Sequence, residues 1–145
     1  MPIAKHPSRR HFFAAFPVAL AAFSGLTLAA GNPRDGRVFI ADAGVRGKPA
    51  DEKGDVITFA DGSFHSRSCD QWGYGKGEVR VSGSGSGDTL NFEVETVSPK
   101  DGRLQWQGKV VGDSIEGTFT HLRKPSTLRP NPEPVVHWFK GSAKT

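Results

Sequence analysis

The chain is poor in sulfur: in 145 residues it has one cysteine, Cys69, and one methionine, Met1. A single Cys excludes an intrachain disulfide framework and a cysteine-cluster zinc site. Helical periodicity is almost absent beyond residue 30. Acidic side chains are missing from the first 30 residues, which hold three basic ones, Lys5, Arg9 and Arg10. The whole chain's 19 Lys and Arg against 15 Asp and Glu therefore becomes 16 against 15 in the remainder. The basic excess belongs to the N-terminal segment and gives no footprint for nucleic acid. What remains is about 115 residues, enough to bury one core. That excludes a multidomain enzyme, a dinucleotide-binding domain with a partner domain, and a repeat array.

What is there begins with Ser8-Arg9-Arg10-His11-Phe12-Phe13, followed by an apolar run over residues 12–28 that contains Pro17. A charged segment before an apolar one reads as a signal peptide. The run is a poor membrane span, since the bilayer core takes about 20 apolar residues. The small residues Thr27, Ala29 and Ala30 place cleavage after Ala29 or Ala30, and no Cys is near to carry a lipid anchor. Paired Arg, one spacer and Phe resemble the twin-arginine export signal, which implies passage of an already folded chain. The expectation is a cleaved leader over residues 1–30 and one domain over residues 31–145. The product is periplasmic or secreted, without a stable membrane anchor. An ordinary secretory signal or an uncleaved anchor is the alternative.

Beyond residue 30, short alternating runs recur every 8–12 residues between Gly- and Pro-rich turns, an all-β pattern. Strands are expected over residues 37–41, 55–60, 63–68, 78–82, 88–97, 103–111, 114–120 and 135–141. Residues 44–54 and 122–134 read as polar and proline-rich loops. Asp61-Gly62 is a two-residue hairpin turn, which pairs Phe59 with Phe64 and Ile57 with Ser66. Gly83 to Gly87, reading Gly-Ser-Gly-Ser-Gly, is a flexible loop. Leu90, Phe92 and Val94 share one face, as do Leu104, Trp106 and Val110; Val79 and Val81 share another. About eight antiparallel strands in a meander leave exposed edges unless they close. The expected fold is a closed or nearly closed small barrel, with a two-sheet sandwich as the alternative.

The stretches Ile57-Thr58-Phe59-Ala60-Asp61-Gly62-Ser63-Phe64, Cys69, Trp72-Gly73-Tyr74-Gly75 and Gly87-Asp88-Thr89-Leu90-Asn91-Phe92-Glu93 resemble a family of small secreted bacterial β proteins of unassigned activity. So do Gly112-Asp113-Ser114-Ile115-Glu116-Gly117-Thr118 and His137-Trp138-Phe139-Lys140-Gly141. The Gly-Asp turn followed by Glu-Gly-Thr also resembles lipocalin-like and avidin-like barrels. The resemblance implies a barrel and carries over no catalytic or ligand residue.

Phe59, Phe64, Phe92, Trp106, Phe119 and either Trp138 or Phe139 make up the expected interior, as core first and ligand cup second. The last strand allows two inward sets, Val135 with Phe139 or Val136 with Trp138. Trp72 and Tyr74 sit among glycines, as loop aromatics that could meet a partner. His65, His121 and His137 could converge at a barrel mouth, although no paired metal-ligand spacing supports this. Cys69 reads as a buried inert thiol. Gly102 to Lys109 is no phosphate loop, and Glu93 with Glu95 is solvated charge on an outer face.

These readings give an expected non-catalytic binding module for a small apolar ligand, or for a protein or glycan at the loop ends. Trp72, Tyr74, Trp106, His137 and Trp138 are the candidate contacts, with no catalytic residue, metal or cofactor assigned. A surface-acting structural or inhibitory module, and a small metal- or Cys-dependent enzyme, are the alternatives.

Overall fold

The computed structural model describes residues 36–81 and 89–145. The expected leader and the loop at residues 83–87 lie outside the described residues. The strands are β1 (Val38–Val45), β2 (Glu52–Ala60), β3 (Ser63–Ser66), β4 (Gly77–Glu78), β5 (Arg80–Val81), β6 (Thr89–Ser98), β7 (Gly102–Val111), β8 (Ser114–Arg123) and β9 (Val135–Ala143). They form one antiparallel sheet in the order β4-β3-β2-β1-β9-β8-β7-β6-β5. The sheet is a nearly closed barrel, and the one helical piece among the described residues is a 3-10 turn over Arg67–Trp72.

The two ends of that order, β4 and β5, are consecutive in the chain. Gly77 pairs with Phe64 of β3, and three residues past β4's end Val81 pairs with Phe92 of β6. One kinked segment therefore bridges the seam, and the meander returns on itself with β1 against β9. The expected single strand over residues 78–82 is broken at Val79, whose N–H turns to the Gly62 carbonyl at 2.8 Å. Val79 packs against the core while Val81 is exposed, so the two do not share an inward face. The seam is tight: a Cβ on Gly77 would sit 2.5 Å from the Glu95 carbonyl oxygen.

The hairpin register is as expected, with Phe59 opposite Phe64 and Ile57 opposite Ser66. Asp61 and Gly62 hold φ of 52° and 74°, the two positive values that a two-residue hairpin turn requires. The strands run further than their apolar runs. β1 reaches Val45 and β2 starts at Glu52, so the loop expected over residues 44–54 shrinks to residues 46–51. Likewise β8 reaches Arg123, and β3 stops at Ser66 where the chain winds into the 3-10 turn. In β9 the inward set contains Phe139, which is 2% exposed; Trp138 faces outward.

Side-chain size along the inward faces divides the barrel. At the end bearing the β2–β3 and β7–β8 turns, the interior holds Phe39, Phe59, Phe64, Phe92, Val110 and Ile115, each at most 1% exposed. Phe59 lies edge-on to Phe39, Phe64 and Phe92 at centroid distances of 6.0, 5.5 and 5.2 Å, the preferred geometry for aromatic pairs. Toward the other end the inward positions become Ala41 and Ala43 on β1, Asp55 on β2, Ser66 on β3, and Thr96 and Ser98 on β6. Small and polar side chains cannot fill the space that phenylalanines fill, and a cavity results.

Candidate functional site

The cavity occupies about 610 Å³ at the end bearing the β6–β7 turn, the 3-10 turn and the β1–β2 and β8–β9 loops. Its deep wall is aromatic. Trp106, Phe119 and His137 face one another across β7, β8 and β9 in register. Their rings stack as a cross-strand ladder: Trp106 to Phe119 at 4.3 Å, and Phe119 to His137 at 4.6 Å with an interplanar angle of 3°. Phe139, Leu104, Ile57 and Ala41 complete the apolar lining. The ladder holds its place because the Trp106 indole N–H donates to Thr96 Oγ1 at 3.1 Å, satisfying the one polar atom of that ring.

The polar wall is built from the 3-10 turn and the β6–β7 turn. Tyr74 follows the turn and is buried, 4% exposed, with its hydroxyl donating to Asp101 Oδ2 at 2.6 Å. His121 Nε2 meets the same oxygen at 2.9 Å. A carboxylate can only accept, so His121 carries its proton on Nε2 there. Asp101 is fixed in turn by its backbone N–H donating to Ser98 Oγ at 3.2 Å, and Ser98 Oγ donates to the Trp72 carbonyl at 2.7 Å. This network ties the lip that carries Trp72 to the β6–β7 turn. Burial, then the bond to Asp101, pushes the Tyr74 hydroxyl above its usual pKa of 10.0.

Cys69 lies on the same wall, its Sγ 3.2 Å from Ser66 Oγ. Burial pushes its thiol up from 9.0 to about 11. At neutral pH it is a thiol without a base among its partners, whereas a nucleophile needs the thiolate. His65, four residues before Cys69, turns its Nε2 to Asp70 at 2.6 Å and does not line the cavity. Buried Asp55 accepts from Ser66 Oγ at 2.5 Å and from the Ser68 N–H at 2.9 Å. Burial lowers the His137 pKa below 6.5; His121 and Arg123 act in the same direction and Asp51 opposes them. The imidazole is therefore neutral at pH 7 and has no side-chain hydrogen bond among the described residues.

Of the five residues singled out from the sequence, Trp72, Tyr74, Trp106 and His137 line this one cavity. Trp72 is 55% exposed at the rim, whereas Tyr74 is an inward wall residue and not an exposed loop aromatic. Trp138 is separated from the other four. It borders a shallow depression on the outer face beside Gln107, Lys109 and Glu116. Its indole N–H donates to the Lys48 carbonyl at 2.9 Å, which holds the β1–β2 loop from behind. Of the three histidines, His121 and His137 reach the mouth. Among the described residues, no group of three or more His, Cys, Asp or Glu is placed to hold a metal ion.

Sequence reasoning missed Asp51, Glu52, Asp55, Asp101 and Arg123, all of which line the cavity. Asp101 sits in a turn, where Asp is common for local reasons. Its function is visible only when Tyr74 and His121, 27 and 20 residues away, are placed beside it. Asp55 had a readable signal: it keeps the inward phase of Ile57 and Phe59 on β2. Comparison with protein-family models, with curated proteins and with solved structures finds no match. What stands of the expected resemblance is the nearly closed antiparallel barrel.

Proposed function

We propose that the protein is a non-catalytic binding module, exported folded, that holds a small amphipathic ligand in the mouth of its barrel. The observation that carries this reading is the cavity, packed shut at one end of the barrel and aromatic-walled at the other. Its volume of about 610 Å³ lies within the range of small-molecule sites. With the kinked β4–β5 segment counted once, eight segments circle the barrel, a size with room inside for its own side chains or for one small ligand, as in lipocalin-like barrels. The twin-arginine-like leader supports export, by a route that carries folded cargo.

The test is native mass spectrometry of the protein expressed with its own leader and recovered from the periplasm, beside an Ala43→Leu variant. Ala43 is a cavity-wall residue of β1, and leucine there fills space without disturbing a hydrogen bond. The expected result is a chain starting near residue 30 with an additional mass that is lost on denaturation and absent from Ala43→Leu. A bare chain in both proteins overturns the ligand reading. Recovery only as a membrane-bound full-length chain overturns the export reading.

A further inference from the structure

The charges around the mouth are unevenly distributed. Asp51, Glu52 and Asp55 fall within five residues at the start of β2 and line the wall across from the aromatic ladder. None of the three is in an ion pair among the described residues. Asp55 is spoken for by Ser66 and Ser68, but Asp51 and Glu52 have no side-chain hydrogen bond there. Arg123 is the one lining residue with a permanent positive charge. It is paired in register with Gly102 beside Asp101 and is within electrostatic reach of both Tyr74 and His137. On the β1–β2 side the charged groups that line the cavity are carboxylates; the basic Arg46, Lys48 and Lys53 of the same segment are not among its lining residues.

We infer that the cavity selects small organic cations: a compact aromatic or apolar body carrying an amine, with the body against Trp106, Phe119 and His137 and the ammonium at Asp51 and Glu52. This deepens the mouth-binding reading and rests on it. An ammonium donates to carboxylates without a competing acceptor, and charge-assisted bonds are about twice as strong as neutral ones. The apolar body gives up water to the deep wall, which supplies affinity without regard to charge. A neutral His137 beside that body adds no repulsion at pH 7. Two lips already held by hydrogen bonds, Trp72 O to Ser98 and Lys48 O to Trp138, present the carboxylates and the rim without further ordering.

The experiment uses three probes that share one body: 1-naphthylmethylamine, 1-naphthalenemethanol and 1-naphthylacetic acid. Calorimetric titrations at pH 7.5 and low salt compare the wild type, Ala43→Leu and the double variant Asp51→Asn/Glu52→Gln. The wild type is expected to bind the amine about tenfold tighter than the acid, the size of one charge-assisted contact. The double variant is expected to bring amine and acid within about twofold while still binding the alcohol; added salt weakens the amine alone. Both substituted positions lie at the rim, so retained alcohol binding reports an intact cavity. Equal or tighter binding of the acid, or an amine preference that survives the double variant, overturns the cation inference and leaves the mouth-binding reading standing. Failure of all three probes to bind the wild type overturns both.

Discussion

The two ends of this barrel use the same strands for opposite purposes. At the packed end β1, β2, β3 and β6 present Phe39, Phe59, Phe64 and Phe92; two to four residues along, the same strands present Ala41, Asp55, Ser66 and Thr96. The backbone ladder continues unbroken from one end to the other in β6, β7 and β8. Close apolar packing is therefore concentrated at one end, and the cavity opens where small and polar side chains replace the phenylalanines. The waist is marked by Gly108 and Gly117, paired across β7 and β8 beneath the Phe139 ring. A Cβ on Gly117 would lie 2.1 Å from the Gln107 carbonyl oxygen and 2.8 Å from Phe139 Cζ, so the strands and ring are as close there as glycine permits.

The sharpest way to break the comparison is to make one end resemble the other. Phe59→Ala removes the ring at the centre of three edge-on pairs and is expected to cost about 3–5 kcal/mol in urea unfolding. Ala43→Leu, at the open end, is expected to change stability by less than about 1 kcal/mol while narrowing the cavity. Comparable costs for the two would show that the open end is also built for stability. Next in size, Gly117→Ala is expected to cost about 1–3 kcal/mol by forcing β7, β8 and Phe139 apart. Smaller again, Tyr74→Phe removes the hydroxyl bonded to Asp101 and is expected to cost about 1 kcal/mol. Its mark is positional: proteolysis near the 3-10 turn should quicken, because the lip loses one of its ties.

How much of this was legible beforehand differs between the two ends for the same reason. Alternation of Leu90, Phe92 and Val94, or of Ile57 and Phe59, exposes strands and packed faces because apolar residues repeat every second position. Asp61-Gly62 fixes its hairpin through local backbone chemistry, so Phe59 and Phe64 could be paired from sequence. At the open end the same parity continues through Asp55, Thr96 and His121, but polar residues do not advertise which way they face. Tyr74 turns inward because Asp101 waits 27 residues away, and the break at Val79 arises because that segment must serve both β3 and β6. Trp138 and Phe139 are equally apolar neighbours, so the sequence leaves open which one faces inward; packing of Phe139 against Phe92 and Trp106 decides the phase.

The smallest expected effect separates the ends without changing a packed residue. Cys69, Tyr74 and His137 have displaced pKa values, and all three line the cavity, so the pH dependence of stability carries a signal from the open end. For His137 the folded value lies below 6.5, so the folded protein resists taking up a proton that the unfolded chain accepts. Its contribution is complete above pH 6.5 and is lost as pH falls below that. For Cys69 the sign is opposite: the unfolded chain releases its proton near pH 9, while the folded protein holds it to about 11. Stability therefore falls between those two values, and Tyr74 adds to the fall above pH 10. Urea midpoints measured from pH 5 to 11 are expected to trace a plateau with a decline on each side. His137→Gln should flatten the acid limb and Cys69→Ser the first part of the alkaline limb, each leaving the pH 7.5 midpoint within about 1 kcal/mol of wild type. If neither variant alters the limb assigned to it, the titrating groups lie elsewhere, and the contrast between a packed end and a titratable end loses its electrostatic half.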